Sequence, residues 1–296
     1  MKQLIGIFIA LATLSLWSCS EDDLDPNSIF GGTETGKVPN EFDTWLLDNY
    51  TTPYNIEFKY RFEDMESDDE YNLAPADYDK SIALAKFTKY LWLESYEELL
   101  GPEFIRTYCP RLMFLVGSPA YNTQGSIVLG TAEGGLKITL YNVNNISLTS
   151  INVDQLNYWY FKTMHHEFAH ILHQTKEYST DFNEITPSNY QSTSWVNVSD
   201  QEALDMGFVS PYASSETQED FVEIISIYVT HTAEYWDNLV GSASAEGQGY
   251  INQKLEIVKD YMTTTWNIDL DELRDIVQRR SQEVAQWDVN DLTTLD

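Results

Sequence analysis

The segment MHHEFAHILH, residues 164–173, decides the fold of this chain, because it places four of the five histidines within nine residues. On an α-helix, His166 and His170 lie one turn apart on the same face, so their imidazoles can converge on one metal ion. Glu167 then stands beside the coordination position that a water molecule occupies. The spacing predicts a helical HExxH zinc site with His166 and His170 as ligands. Two structural histidines that happen to lie one turn apart are the alternative.

Zinc in such a site supplies hydrolytic chemistry. It lowers the pKa of its bound water and polarises a scissile carbonyl, while Glu167 would take the proton of the water and pass it to the leaving group. His165 points about 100° away from His166 and is expected to support the site or to pack. His173 does not extend the motif to the metzincin pattern, because position 176 is Lys.

A third protein ligand must come from elsewhere, and residues 216–223 (ETQEDFVE) offer four acids. Glu219 and Glu223 share a helix face, so Glu219 can bind the metal while Glu223 hydrogen-bonds the outer nitrogen of a ligand histidine. Asp220, about 100° to the side, and Glu216, in or before the first turn, remain competing ligands. All four could instead be an acidic helix start that interacts with the helix dipole.

These residues carry a resemblance to a known family. The HHEFAH segment and a tyrosine seven residues before Glu219 resemble the glutamate zincins related to the catalytic domain of anthrax lethal factor. Tyr212 stands at that position, and the resemblance implies that its phenol stabilises the oxyanion; an ordinary core tyrosine is the alternative. Together with the N-terminus described next, the chain is similar to the substrate import-associated zinc metallohydrolase lipoproteins. The resemblance is specific over Tyr158 to Tyr228 and implies Zn²⁺ as cofactor.

The N-terminus predicts a lipoprotein. Residues 1–18 have a short basic start and an apolar stretch too short to span a membrane, which is typical of a signal peptide. The sequence LWSC at 16–19 resembles a lipobox, which would make Cys19 the lipidated first residue; a plain secretory signal is the alternative. Acidic residues 20–25 resemble the export signal of surface-exposed lipoproteins, or form a solvated tether. We expect an outer-membrane protein at the cell surface, with a flexible tether over 19–40.

Composition narrows the classes of partner. The formal charge is −30, with 17 Lys and Arg against 47 Asp and Glu, so no basic surface for nucleic acid is expected. Hydrophobic residues make up 43% of the chain, enough for one large domain over 41–296 with a sizeable core. Once Cys19 carries lipid, Cys109 has no partner for a disulfide and is expected in the core.

Periodicity predicts a mixed α+β fold, and the resemblance implies that this fold is of zincin type. We expect a small sheet over the HExxH helix, a mostly helical C-terminal half that supplies Glu219, and a cleft between the two. The predicted strands are 54–62, 111–116, 127–129 and 136–143. The predicted helices are 42–50, 77 or 79 to 100, 153–174, 200–206, 217–233, 250–263 and 270–286, with a long polar connection over 177–199.

The sequence favours a metallopeptidase. Its substrate would be extracellular protein or glycoprotein, with fragments passed to a TonB-dependent importer and its binding lipoprotein, as the resemblance implies. The alternative is a catalytically silent lipoprotein that binds glycan or peptide on exposed aromatics such as Trp159, Trp195 or Trp236. Hydrolysis of a non-peptide amide or ester is a third possibility, since the same zinc site could perform it.

Overall fold

A computed structural model describes residues 38–295, except 64–65, 67–69, 122–126, 129 and 134–135. Residues Glu41–Asp296 form a compact unit. The predicted signal peptide, Cys19 and most of the tether lie outside the described residues. None of the helices in the described part combines the length and apolar character that a bilayer crossing requires.

Helices dominate the unit. Two of them continue through π-helical turns, at Leu47–Thr51 and Lys89–Leu93, and a third π-turn, Asn157–Phe161, leads into the motif helix. The α-helices are α1 (Glu41–Leu46), α2 (Thr52–Tyr54), α3 (Tyr78–Thr88), α4 (Glu94–Leu100), α5 (Pro102–Tyr108), α6 (Val153–Leu156), α7 (Lys162–Thr175), α8 (Asp200–Asp205), α9 (Thr217–Thr230), α10 (Ala233–Gly241), α11 (Ala245–Trp266) and α12 (Leu270–Val284).

The sheet is small and mixed. Its strands are β1 (Glu57–Lys59), β2 (Leu112–Leu115), β5 (Gly130–Glu133) and β6 (Lys137–Leu140), in the spatial order β1-β2-β6-β5. The first three strands in that order are parallel, and β5 pairs antiparallel with β6 at the edge. β3 (Ala120–Tyr121) and β4 (Ile127–Val128) form a separate antiparallel pair.

Most side chains of the motif helix α7 are buried. It packs against α9 on one side and contacts the edge strand β5 on another. The core around it is aromatic: Phe168 meets Trp92 and Tyr96 edge to face at ring-centroid distances of 5.7 and 5.0 Å. Burial of such large rings stabilises the position of α7. The predicted mixed architecture, with a small sheet and a mostly helical second half, is confirmed.

Several predicted boundaries are wrong for identifiable reasons. The strand predicted over 54–62 is only β1, because helical backbone continues to Tyr54 and Asn55 then takes a left-handed φ of 58°. The helix predicted to end at Ala233 ends at Thr230, because His231 is extended and Thr232 caps the next helix.

Glycine and proline misled other predictions. The helix predicted over 250–263 is α11, which already begins at Ala245 and includes Gly247, although glycine favours a break. A Cβ at Gly247 would lie 2.2 Å from the carbonyl oxygen of Leu204, so close packing of α11 requires this glycine. Pro102 does stop α4, but it also starts α5. β5 lies in a glycine-containing stretch for which only loops around a short strand were predicted.

Candidate metal centre

The two motif histidines meet as the helical spacing predicts. Their ring centroids lie 4.8 Å apart, and Nε2 of His166 lies 3.2 Å from Nε2 of His170. His166 is buried and His170 is partly exposed. One solvent-accessible side therefore remains beside an otherwise enclosed pair of imidazoles.

Glu219 reaches this pair from the first turn of α9. Its Oε2 lies 3.0 Å from Nε2 of His166 and 3.4 Å from Nε2 of His170. Among the residues that the structure describes, His166, His170 and Glu219 form the one group of at least three metal-ligating side chains with converging ligand atoms. The structure thus brings together the three residues that the sequence proposed as ligands.

The donor set fits a zinc ion. Zinc prefers nitrogen and carboxylate ligands at about 2.0–2.2 Å in tetrahedral geometry, which places neighbouring ligand atoms about 3.3 Å apart. The three separations of 3.0, 3.2 and 3.4 Å match one face of such a tetrahedron. A fourth position then remains for water or substrate, as catalytic zinc sites require.

An outer carboxylate orients His166. Nδ1 of His166 donates to Oε1 of Glu223 at 3.0 Å, and Glu223 is buried. Two further groups hold that carboxylate: Lys162 Nζ at 2.8 Å and the hydroxyl of Ser210 at 2.6 Å. Burial raises the pKa of Glu223, but Lys162 and His166 outweigh burial and lower it. Glu223 therefore stays ionised and fixes the tautomer of His166 with Nε2 available to a metal.

The ligand groups shift each other's pKa values strongly. Burial disfavours a charged His166, yet hydrogen bonds to Glu219 and Glu223 raise its pKa to about 9. Burial likewise raises the pKa of Glu219, but the two imidazoles bring it down to about 2. The two carboxylates therefore favour positive charge at the point where the three ligand atoms converge.

Glu167 has the properties of a general base. It is partly buried, and its carboxylate has no hydrogen-bond partner among the described residues. Burial raises its pKa, although His166 and His170 act in the opposite direction. A carboxylate with a raised pKa accepts a proton more readily near neutral pH.

Tyr212 lies beside the histidines. Its ring centroid is 5.9 Å from that of His166 and 5.1 Å from that of Trp195, which meets it edge to face. Partial burial and the carboxylate of Glu219 raise the pKa of the phenol. The hydroxyl is therefore protonated at neutral pH and can donate a hydrogen bond.

The competing acids lie elsewhere. Asp220 is buried on another face of α9, where Oδ2 lies 2.7 Å from Lys254 Nζ and accepts from the hydroxyl of Tyr190 at 2.8 Å. Glu216 is exposed at the start of α9. Neither acid faces the two histidines.

The remaining histidines and tryptophans have other environments. His165 is buried, and its Nδ1 lies 2.9 Å from the hydroxyl of Tyr96. His173 contacts His170 rather than the convergence point of the ligands. Trp236, suggested as an exposed stacking platform, is buried, so that suggestion is wrong for this residue. Trp159 and Trp195 are partly exposed.

Sequence reasoning missed two residues of the centre. Lys162 lies four residues before His166 on the same helix face, so helical spacing could have indicated it. Ser210 lies in an irregular segment and meets Glu223 only through the tertiary fold. No local sequence signal identifies it.

Known proteins that resemble this chain are described as putative zinc-binding metallo-peptidases. Residues 35–271 match the model of a family described as "Putative zinc-binding metallo-peptidase". The chain belongs to this family. A crystal structure of a putative zinc-binding metallo-peptidase from Bacteroides caccae is 44% identical and superposes with a TM-score of 0.74, covering 86% of this chain and 96% of that chain. No curated protein matches the chain.

Proposed function

We propose that this family member is a zinc-dependent hydrolase of gluzincin type, and that its reaction is peptide-bond hydrolysis. One observation carries the proposal: His166, His170 and Glu219 present three ligand atoms at separations of 3.0–3.4 Å beside the unpaired carboxylate of Glu167. A site that only bound zinc for structural reasons would be closed by a fourth protein ligand.

The roles of the residues follow from their positions. His166, His170 and Glu219 would hold the zinc, which when bound activates water and polarises the scissile carbonyl. Glu167 accepts a proton from the attacking water while the water oxygen bonds to the carbonyl carbon. It then delivers that proton to the departing amine nitrogen as the C–N bond breaks. Tyr212 donates a hydrogen bond to the oxyanion that forms meanwhile.

The edge strand β5 supports a peptide as substrate. Among the described strands it pairs only with β6, and it lies against α7. An extended peptide can pair with the free edge of a sheet through main-chain hydrogen bonds. Such pairing would lay the substrate backbone alongside the helix that carries His166 and His170.

The cellular setting is proposed on sequence features alone. Cys19 and the acidic segment that follows support a lipid anchor in the outer membrane, with the domain at the cell surface. Extracellular protein or glycoprotein would then be the substrate, and the TonB-dependent importer with its binding lipoprotein would take up the fragments. Metabolic labelling with a fatty acid tests the anchor: the wild-type chain should be labelled and Cys19→Ser should not.

The hydrolase itself is tested with the full chain carrying Cys19→Ser. We expect about one zinc per chain and cleavage of an unfolded protein such as reduced casein. Glu167→Gln should retain zinc and lower kcat/KM by about 10²- to 10⁴-fold, the range for loss of a general base. Glu177→Gln, on the exposed segment after α7, is the matched control and should keep full activity. Unchanged cleavage by Glu167→Gln would refute the assignment of the base.

A further inference from the structure

The two ligand histidines have different outer partners. Nδ1 of His166 meets the carboxylate of Glu223 at 3.0 Å, whereas Nδ1 of His170 meets Nε2 of His173 at 2.9 Å. His173 is buried, three residues beyond His170 on α7. The motif places it there, but the catalytic roles proposed above do not use it.

The contact fixes a tautomer on each ring. If Nε2 of His170 binds zinc, Nδ1 of the same ring must carry its proton and donate it. Nε2 of His173 is the acceptor within reach, so His173 must carry its own proton on Nδ1. Its Nε2 lone pair is then occupied, which removes His173 from the possible zinc ligands.

The surroundings of His173 hold its ring in place. Its centroid lies 5.7 Å from that of Tyr178 and 6.4 Å from that of Phe221. Those two aromatic rings stack on each other at 3.9 Å with an interplanar angle of 5°. Phe221 follows Glu219 by two residues on α9, so the packing that fixes His173 also connects the two ligand-bearing helices.

An uncharged acceptor suits this position. Glu167, Glu219 and Glu223 already bring three carboxylates to the centre, and Lys162 is paired with one of them. A fourth carboxylate would add repulsion between like charges in a largely buried site. A neutral imidazole orients His170 without that cost.

We propose that His173 is a positioning residue of the metal centre, which accepts the Nδ1 proton of His170 and so fixes that ligand's tautomer and ring orientation for zinc. The inference rests on the proposed zinc site, because it gives His173 a role only through His170. Loss of an outer partner typically lowers metal affinity by about 10- to 100-fold.

The test compares two substitutions in the full chain carrying Cys19→Ser. His173→Phe keeps an aromatic ring against Tyr178 and Phe221 but offers no acceptor. We expect zinc affinity, measured by competition with a chelator, to fall about 10- to 100-fold. His173→Gln restores an acceptor near the position of Nε2 and should recover most of that loss. The melting temperature of the zinc-free protein should be similar in all three proteins.

A matched control and a second readout keep the result interpretable. His165→Phe removes another buried histidine from the same helix and should leave zinc affinity unchanged. Nitrogen-15 NMR of the zinc-loaded protein should show His170 and His173 both protonated at Nδ1. This measurement does not depend on whether a variant at position 173 folds.

Two results would overturn the proposal: wild-type zinc affinity in His173→Phe, or a proton on Nε2 of His173 in the zinc-loaded protein. If the unsubstituted chain bound no zinc, the proposed hydrolase would fail as well. Normal zinc binding with an unaffected His173→Phe variant would reject only the role of His173.

Discussion

Glu219 and Asp220 are neighbours on one helix, yet they belong to two different polar clusters. Asp220 is buried beside Lys254, whose ammonium lies 2.7 Å away and also donates to the carbonyl oxygen of Gly207 at 2.8 Å. Glu219 faces two imidazoles, and Lys162 pairs with Glu223. Asp220 thus has a lysine as its own counterion, whereas the lysine of the metal centre is paired with Glu223 and not with Glu219.

This difference shows which acid can be a metal ligand. A buried carboxylate that already has a hydrogen-bonded counterion gains little from a second cation. A carboxylate that faces the lone pairs of neutral imidazoles is stabilised only when a proton or a metal ion lies between them. Glu219 and Asp220 point about 100° apart on the helix. As a result, Asp220 faces Lys254, whereas Glu219 faces the two imidazoles.

Removing the charge of each acid in turn should give the largest expected difference, which is in zinc affinity. Glu219→Gln should lower zinc affinity by more than the roughly 100-fold that loss of an outer partner costs, because it removes a direct ligand. Asp220→Asn should retain about one zinc per folded chain, as should the exposed control Glu216→Gln. Metal analysis after dialysis against a weak chelator measures this. Zinc loss in Asp220→Asn with retention in Glu219→Gln would reverse the assignment.

For the free energy of unfolding, Asp220 should be the important acid of the two. Asp220→Asn leaves the buried ammonium of Lys254 without a counterion, and breaking a buried ion pair in this way costs about 3–5 kcal/mol. Urea unfolding of the zinc-free protein measures the loss, with Glu216→Gln as the reference. The double variant Asp220→Leu with Lys254→Met should regain most of the stability. An Asp220→Asn protein as stable as wild type would show that the pair is not what stabilises this part of the core.

Each acid also has a tyrosine nearby, which allows a finer comparison. Tyr212→Phe should keep zinc and lower kcat by about 10²- to 10³-fold, the usual effect of losing one oxyanion donor. Tyr190→Phe removes the hydroxyl that donates to Asp220 at 2.8 Å and should lower stability by about 1.5–3 kcal/mol with little change in kcat. Steady-state kinetics and urea unfolding of both variants measure the two effects. Equal activity of the two variants would remove Tyr212 from the proposed mechanism.

Local spacing accounts for what the sequence predicted about the centre. His166, Glu167 and His170 follow from one helical turn, and Glu219 with Glu223 follows from a second. The sequence left Glu219, Asp220 and Glu216 open as ligands, because the choice depends on which face of α9 turns toward α7.

Long-range pairing accounts for what the sequence missed. Lys254 lies 34 residues from Asp220 along the chain and Ser210 lies 13 residues from Glu223, so neither contact leaves a periodic signal. The edge strand β5 was missed because its glycine content favours loops. α10 was also missed, because the predicted helix over 217–233 ran past His231. The extended backbone at His231 separates the two helices.

The central claim is that a zinc ion lies between His166, His170 and Glu219. Anomalous diffraction from crystals of the wild-type protein, recorded on both sides of the zinc absorption edge, tests it most directly. The account predicts one strong peak about 2.0–2.2 Å from Nε2 of each histidine and from a carboxylate oxygen of Glu219. A zinc peak bound by other residues, or none in zinc-supplemented crystals, would contradict it.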